Sequence, residues 1–152
     1  MALQFQHYTF DELSTSLLYN IMKVRQEVFI VEQNCPYLDA DGKDQAAYHL
    51  LGTYETDEVV AYTRLLPKGV SYPEYCSIGR VLTTEKARGQ GAGKDIMLQS
   101  IATCRKLFSN QKIKISAQSY LVKFYTDLGF EPTGETYLED NIPHMAMIYS
   151  EV

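Results

Sequence analysis

Three of the chain's nine glycines, Gly89, Gly91 and Gly93, stand at alternate positions in the run ARGQGAGKD, behind Arg88 and ahead of Lys94. The stretch before this run, Tyr75 to Thr83, reads as a strand. The stretch after it, Ala92 to Ser109, reads as a long helix with Ile96, Met97, Ile101, Cys104 and Phe108 on one face. A glycine-rich turn from a strand into a helix leaves backbone N–H groups at the helix start, where an anion can meet them. Glycine permits close approach because no Cβ stands in the way. The loop is therefore expected to cradle an anion, and the chain around it is expected to combine strands and helices.

Two familiar phosphate loops do not match. A P-loop needs four residues between its glycines and a hydroxyl after its lysine. Here three residues separate Gly89 from Gly93, and Asp95 follows Lys94. A dinucleotide fingerprint spaces its glycines as GxGxxG, whereas these are spaced GxGxG. A third pattern does match: Gln or Arg, two residues, Gly, one residue, then Gly or Ala. Arg88, Gly91 and Gly93 supply it.

The rest of the chain supplies eight more elements. Leu3 to Thr9 alternates as a strand, and Ser14 to Glu32 places Leu17, Leu18, Ile21, Val24 and Val28 at helical spacing. Asn34 to Asp44 is a loop rich in Pro, Gly, Asp and Asn. Ala46 to Tyr54 and Val59 to Leu66 read as a hairpin turning at Glu55–Glu58. Ile113 to Ala117 is a short strand, and Tyr120 to Leu128 is a short helix that Gly129 can end. Tyr137 to Leu138 and Ala146 to Tyr149 are the last strand candidates. The order β-α-β-β-β-α-β-α-β-β predicts an α+β (α/β sandwich) fold: a single mixed, largely antiparallel sheet with helices on both faces. The strand–helix–strand step through Ala92–Ser109 predicts a right-handed parallel crossover. A chain of 152 residues without repeat or linker reads as one domain, 1–152, able to bury roughly 70% of its unfolded surface.

Charge narrows the ligand. A net charge of −5 argues against a nucleic-acid binder, which needs a basic face. The charges are uneven. Val31 to Glu58 holds Glu32, Asp39, Asp41, Asp44, Glu55, Asp57 and Glu58 against the lone base Lys43. Arg80 to Asp95 holds Arg80, Lys86, Arg88 and Lys94 against Glu85 and Asp95. A basic island in an acidic chain suits a polyanionic ligand, while the acidic stretch is either a solvated surface or a lure for cations. DADGKD does not make a calcium loop, because the spacing would put Tyr37 and Tyr48 at the first and last ligand positions. Cys35, Cys76 and Cys104 are an odd count without CxxC spacing, so neither a disulfide framework nor a zinc site is expected, and the thiols read as reduced. No signal peptide and no membrane helix are apparent, and the cytoplasm is the expected compartment.

The stretch IGRVLTTEKARGQGAG resembles the coenzyme A pyrophosphate loop of the GNAT superfamily of acyl-CoA-dependent N-acetyltransferases, with Thr83 five residues before Arg88. ISAQSYLVKFYTDLGF (Ile115–Phe130) looks like that superfamily's second motif, a strand followed by a helix ending FYxxxGF. VRQEVFIVEQNCPYLDADGKDQAAYHL (Val24–Leu50) and EDNIPHMAM (Glu139–Met147) resemble its ElaA-type branch. The likeness covers nearly the whole chain.

The resemblance implies acetyl-CoA as cosubstrate and no metal. It implies that Tyr75–Thr83 and Ile113–Ala117 splay apart, with pantetheine between them hydrogen-bonded to the backbone of Val81, Leu82 and Thr83. A backbone N–H of the first strand would also polarise the thioester carbonyl. The loop Arg88, Gly89, Gln90, Gly91, Ala92, Gly93 and Lys94 would hold the pyrophosphate, with charge-assisted bonds from Arg88 and Lys94. Gln118 stands where many relatives carry an asparagine that contacts the cofactor. The acceptor would be a small-molecule or peptide amine, cationic if the acidic stretch faces it. A homodimer is open.

Direct attack needs a neutral amine. A lysine-like amine has a pKa near 10.4, so only about one in a thousand is neutral at pH 7.4. A base must take a proton, and an acid should protonate the departing thiolate. Tyr125, in FYTDLGF, stands where many family members keep a tyrosine near the coenzyme sulfur. The competing reading is a core aromatic beside Leu121, unless Phe124 and Leu128 supply the core face. The strand Tyr75–Thr83 offers no acidic base. His144, in NIPHMAM, is the best titratable candidate, since a free imidazole has a pKa near 6.5. Its alternative is a histidine satisfied by a backbone carbonyl, with a chain of waters as base. Arg25 and Glu32, seven apart on the first helix, would share a face and line the acceptor side or form surface pairs. His49, in AAYHLLG, joins them as an acceptor-site candidate, although its apolar neighbours favour a structural role; His7 gets none. Two alternatives compete: an acyl-homoserine-lactone-synthase-like acyltransferase, which VRQEVF also resembles, and a non-catalytic CoA-binding module.

Overall fold

The computed structural model describes residues 2–55 and 57–150. The strands are β1 (Gln4–Thr9), β2 (Tyr48–Thr53), β3 (Val59–Leu66), β4 (Cys76–Thr83), β5 (Ile113–Gln118), β6 (Glu131–Glu139) and β7 (Ile142–Tyr149). They form one sheet in the order β1-β2-β3-β4-β5-β7-β6. Every neighbouring pair is antiparallel except β4 and β5, which run parallel as the strand–helix–strand step predicts. The helices are α1 (Thr15–Arg25), α2 (Ala92–Leu107) and α3 (Val122–Asp127). Of the turn expected at Glu55–Glu58, Thr56 lies outside the described residues.

Alternation along the strands sorts the helices onto opposite faces. Leu50 of β2 packs with Ile96, Met97 and Ile101 of α2, while its neighbour Leu51 packs with Ile21 and Val24 of α1 and with Val28 just beyond it. On β3, Ala61 and Leu65 join the α2 side, and Tyr62 joins the α1 side. One polar contact pins α2 to the sheet: Thr63 Oγ1 lies 2.7 Å from Ser100 Oγ, which donates to Ile96 O at 2.6 Å. The α3 helix adds Tyr125 to the α2 side, where Phe130 and Met147 are also buried.

Two elements depart from the sequence reading. Ser14 is the cap of the first helix, its Oγ accepting from Leu17 N at 3.1 Å, and the α-helical part stops at Arg25. Gln26–Glu32 continues as a π-type turn, closed by Cys35 N donating to Ile30 O at 3.1 Å, five residues back. The wider winding breaks the seven-residue phase, so Arg25 and Glu32 do not share a face. The second departure is β6, nine residues long where Tyr137 and Leu138 were expected alone. It is a mostly exposed edge strand carrying Pro132 and Gly134, whose φ of +87° sits where the register with β7 shifts. Asp140 and Asn141, with φ of +51° and +64°, turn it into β7 as a two-residue hairpin.

Candidate active site

The parallel pair does not stay paired. Cys76 and Ser77 of β4 face Ile113 and Lys114 of β5, and beyond them the strands part. A bulge in β4 accompanies the parting. Tyr62 pairs with Leu82 and Arg64 with Gly79, so Arg80 and Val81 together oppose Thr63. Arg80 has a φ of +51°, a conformation that costs a side-chain-bearing residue about 1–2 kcal/mol. The gap opens into a cleft of about 910 Å³ lined by both strands.

One end of the cleft meets the glycine loop. Gly89 and Gly91 both have a φ of +79°, and a Cβ on either would meet nothing within 4 Å. Conformation therefore demands glycine at both positions, and the loop surface stays open to a ligand. Gly91 caps α2, and Asp95 N is the first to donate into it, to Gly91 O at 3.0 Å. The amides of Ala92, Gly93 and Lys94 have no intrahelical acceptor and point out of the helix start. A phosphate group fits such a start, and a chain with backbone-bonding amides fits the free edges of β4 and β5. Of the loop, Arg88 lines the cleft; Gly89, Gln90, Gly91, Ala92, Gly93 and Lys94 lie outside its walls. Arg88 donates to Thr83 O at 2.7 Å and to Glu32 Oε1 at 2.6 Å, tying the end of β4 to the end of the first helix.

The acidic loop roofs the cleft, and its charges are spent internally. Arg25, completely buried, donates to Asp39 Oδ2 at 2.8 Å and Asp44 Oδ1 at 2.7 Å. Arg64 donates to Asp41 through two bonds of 2.8 Å and to Asp44 at 3.0 Å. Arg80 donates to Asp39 Oδ1 at 2.7 Å and to Asp39 O at 3.0 Å. Three arginines thus neutralise three aspartates. Although burial opposes it, hydrogen bonds and charge from Arg64, with Lys43 N and the Arg80 charge, hold Asp41 well below the usual carboxylate range. Arg25 and Arg64 do the same for Asp44.

This network corrects two acceptor-site expectations. Arg25 is sealed behind the loop and serves the roof rather than the cleft. His49 is fully buried too, accepting from Tyr62 OH at Nδ1 (2.7 Å) and donating from Nε2 to Asp44 O (2.9 Å). Burial pushes its pKa down. Glu32 does line the cleft. The idea that Asp39, Asp41 and Asp44 attract a cationic amine fails because each faces arginine.

The far wall of the cleft carries the titratable groups. Tyr125 lines it from α3, its ring edge-on to Phe124 and Phe130 at 5.1 and 6.0 Å, so the residue is both core aromatic and cleft wall. Burial pushes its phenol up to about 12. Gln118 and His144 are register partners across β5 and β7, and both line the cleft. His144 Nδ1 lies 2.7 Å from Ile142 O. A carbonyl only accepts, so Nδ1 carries the proton and Nε2 of the neutral ring keeps its lone pair. Nε2 faces Glu139 Oε2 at 3.6 Å.

Glu139, Ser116 and Tyr137 carry no site role in the sequence reading, although all three gather here. Tyr137 OH donates to Ser116 Oγ at 2.5 Å, and Ser116 Oγ points at Glu139 Oε1 at 3.5 Å. The signal was present in the Asp-Asn turn after Glu139, which marks a hairpin and so brings Glu139 back to Ile142 and His144. Among the described residues no cluster of His, Cys, Asp and Glu is placed to hold a metal ion, and no helix is long and apolar enough to cross a membrane.

The chain matches the model of the acetyltransferase (GNAT) domain over residues 21–151. It is 41% identical to ElaA of Escherichia coli over 147 residues, 95% of each chain. The crystal structure of E. coli ElaA superposes with a TM-score of 0.89 at 39% identity, covering 97% of this chain and 99% of that one. The crystal structure of an acyl-CoA N-acyltransferase from Pseudomonas aeruginosa gives 0.90 at 35% identity with the same coverage. A CoA-dependent acyl-homoserine lactone synthase gives 0.78 at 16% identity, covering 97% of this chain and 82% of that one, a likeness of fold alone.

Proposed function

The chain belongs to the GNAT acyltransferase family, and we propose that it moves an acetyl group from acetyl-CoA to a primary amine by direct attack in a ternary complex. The observation that carries this reading is the wedge between β4 and β5, which runs from an open helix start to a wall bearing Tyr125 and His144. The helix-start amides, with Arg88 and Lys94 nearby, suit a pyrophosphate, and the unpaired edges of Val81, Leu82 and Thr83 suit the amides of pantetheine. Bound acetyl-CoA supplies a thioester carbonyl open to attack. His144 Nε2 is the lone pair that relieves the incoming amine of a proton. Tyr125 keeps its proton at neutral pH, because burial disfavours the phenolate, and so has one to give to the departing sulfur. Gln118, next to His144 in the sheet, would hold the cofactor or the acceptor by its amide. Three free cysteines support a reducing, cytoplasmic setting.

Thiol release from acetyl-CoA with a panel of primary amines tests the reading. The wild-type protein is expected to release thiol with at least one amine. Tyr125→Phe should lower kcat by roughly 100-fold, the scale of one general acid, while CoA affinity by calorimetry stays within about twofold. CoA binding without transfer to any amine, and no effect of Tyr125→Phe, would leave a CoA-binding module instead. Turnover with long acyl chains on a carrier protein would favour the lactone-synthase relation.

A further inference from the structure

His144 Nε2 and Glu139 Oε2 face each other across 3.6 Å at the wall of the cleft. Both are acceptors. Nδ1 of His144 holds the ring's proton against Ile142 O at 2.7 Å, and a carboxylate has none to offer. Their separation exceeds the span of a direct hydrogen bond. The other carboxylate oxygen is served from within: Tyr137 donates to Ser116, which leaves the Ser116 hydroxyl hydrogen for Glu139 Oε1. With the ring neutral, two lone pairs therefore converge on one place, and among the described residues no side chain donates to either.

Among the described residues, the nearby cations are committed elsewhere. Lys114 Nζ lies 4.8 Å from the Tyr72 ring centre and 5.6 Å from that of Tyr75, with Glu135 at 3.9 Å. Lys43 Nζ bonds Ser71 Oγ at 3.1 Å. Arg64 and Arg80 serve the acidic loop, and Arg88 serves Glu32 and Thr83. Glu139 is thus a carboxylate on the cleft wall without an arginine or lysine partner among the described residues, and its side chain is 53% exposed.

We propose that Glu139 is the acceptor-binding residue, holding a primary ammonium group by one N–H while a second N–H points at His144 Nε2. The proposal rests on the acyl-transfer reading and names its substrate class: amines that arrive as cations. The cation that the acidic loop does not attract is received here instead. From that position one proton passes to His144 Nε2. The freed nitrogen lone pair forms the bond to the acyl carbon, and the C–S bond breaks with its electrons on sulfur. The sulfur takes the Tyr125 proton, the amide nitrogen sheds its second proton to solvent, and solvent exchange resets Tyr125 and His144. One proton is released per turnover.

The test compares a cationic acceptor, n-butylamine, with p-anisidine, an arylamine that is neutral near pH 7. In Glu139→Gln, kcat/KM for n-butylamine is expected to fall roughly 10- to 100-fold, as for loss of a hydrogen bond to a charged group. The value for p-anisidine and the affinity for CoA should change by less than about threefold, and Glu139→Asp should recover part of the loss. No loss with n-butylamine, or equal loss with both amines, overturns the proposal and leaves acetyl transfer standing. If the wild-type protein acetylates neither amine, a binding experiment still decides. n-Butylammonium titrated into the CoA-loaded protein should shift the His144 ring resonances saturably in the wild type and not in Glu139→Gln. The same response in both, or none in the wild type, overturns it.

Discussion

Gly91 and Gly93 look alike in the sequence and do different work. Gly91 has a φ of +79° and caps α2, whereas Gly93 lies within the helix, where an added Cβ would meet Phe124 Cζ at 3.9 Å, an ordinary contact. Gly91→Ala should therefore destabilise the protein by about 1–2 kcal/mol and weaken CoA binding, because the cap must leave the left-handed region or strain. Gly93→Ala should melt at or above the wild-type temperature, since alanine is the better helix former. Thermal melts with and without CoA check both, and equal behaviour of the two variants would sink the distinction. Individual side chains were legible where backbone geometry restricts residue choice, as at Gly91, and less so where partners are remote. Arg25 meets Asp39 and Asp44 only after the chain has folded, and nothing in VRQEVF announces a buried charge. His49 was an acceptor-site candidate whose apolar neighbours favoured a structural role, and its Tyr62 and Asp44 partners come from two other segments.

At the scale of elements, β4 decides the shape of the cleft. Its bulge holds Arg80 at a φ of +51° through Nε and terminal N–H bonds to Asp39. Two variants separate conformation from contact. Arg80→Gly keeps the left-handed backbone and loses the tie, while Arg80→Ala loses both. The glycine variant should be more stable than the alanine variant by about 1 kcal/mol, and both should bind CoA more weakly than the wild type. Denaturant unfolding and calorimetry read the two effects; an alanine variant as stable as the glycine one would mean that the strand does not depend on that conformation. The central strands β3 and β4 and the long helix α2 were readable because they carry long apolar patterns. The edge strand β6 was not, because it is exposed and broken by Pro132 and Gly134, residues that usually mark turns. The π-type stretch Gln26–Glu32 was hidden for another reason: its spacing of apolar residues suits an α-helix nearly as well.

For the whole molecule, the salt-bridged roof sets the response to acid. Asp41 and Asp44 are held below the ordinary carboxylate range by Arg64, Arg25 and Arg80. Groups with depressed native pKa stabilise the fold above their unfolded value, near 3.9, and that contribution is lost as the pH falls from there towards the native values. His49 acts earlier. Burial lowers its native pKa, so stability should begin to decline once the pH drops below about 6.5, where the unfolded chain gains a proton that the native ring resists. Urea unfolding followed by circular dichroism from pH 7 to 3 should show two stages, the steeper one below about pH 4. Asp44→Asn should cost about 3 kcal/mol at pH 7, because two buried arginines lose an ionic partner, and should flatten the lower stage. A profile without loss below pH 4 would contradict the pairing. The fold class was legible from element order alone, as was the wedge from the family resemblance. The roof was not, since its charges looked solvated when counted along the chain.

The sheet is joined at its middle by two rungs, Cys76 to Ile113 and Ser77 to Lys114, and elsewhere by longer ladders. It is therefore less a slab than an open book bound at one end of the spine. A guest that supplies amide groups to both pages finishes the binding, so occupancy and stiffness become one property. Such a protein would be most pliant when empty, and its freedom would be the reservoir drawn down each time a guest is seated.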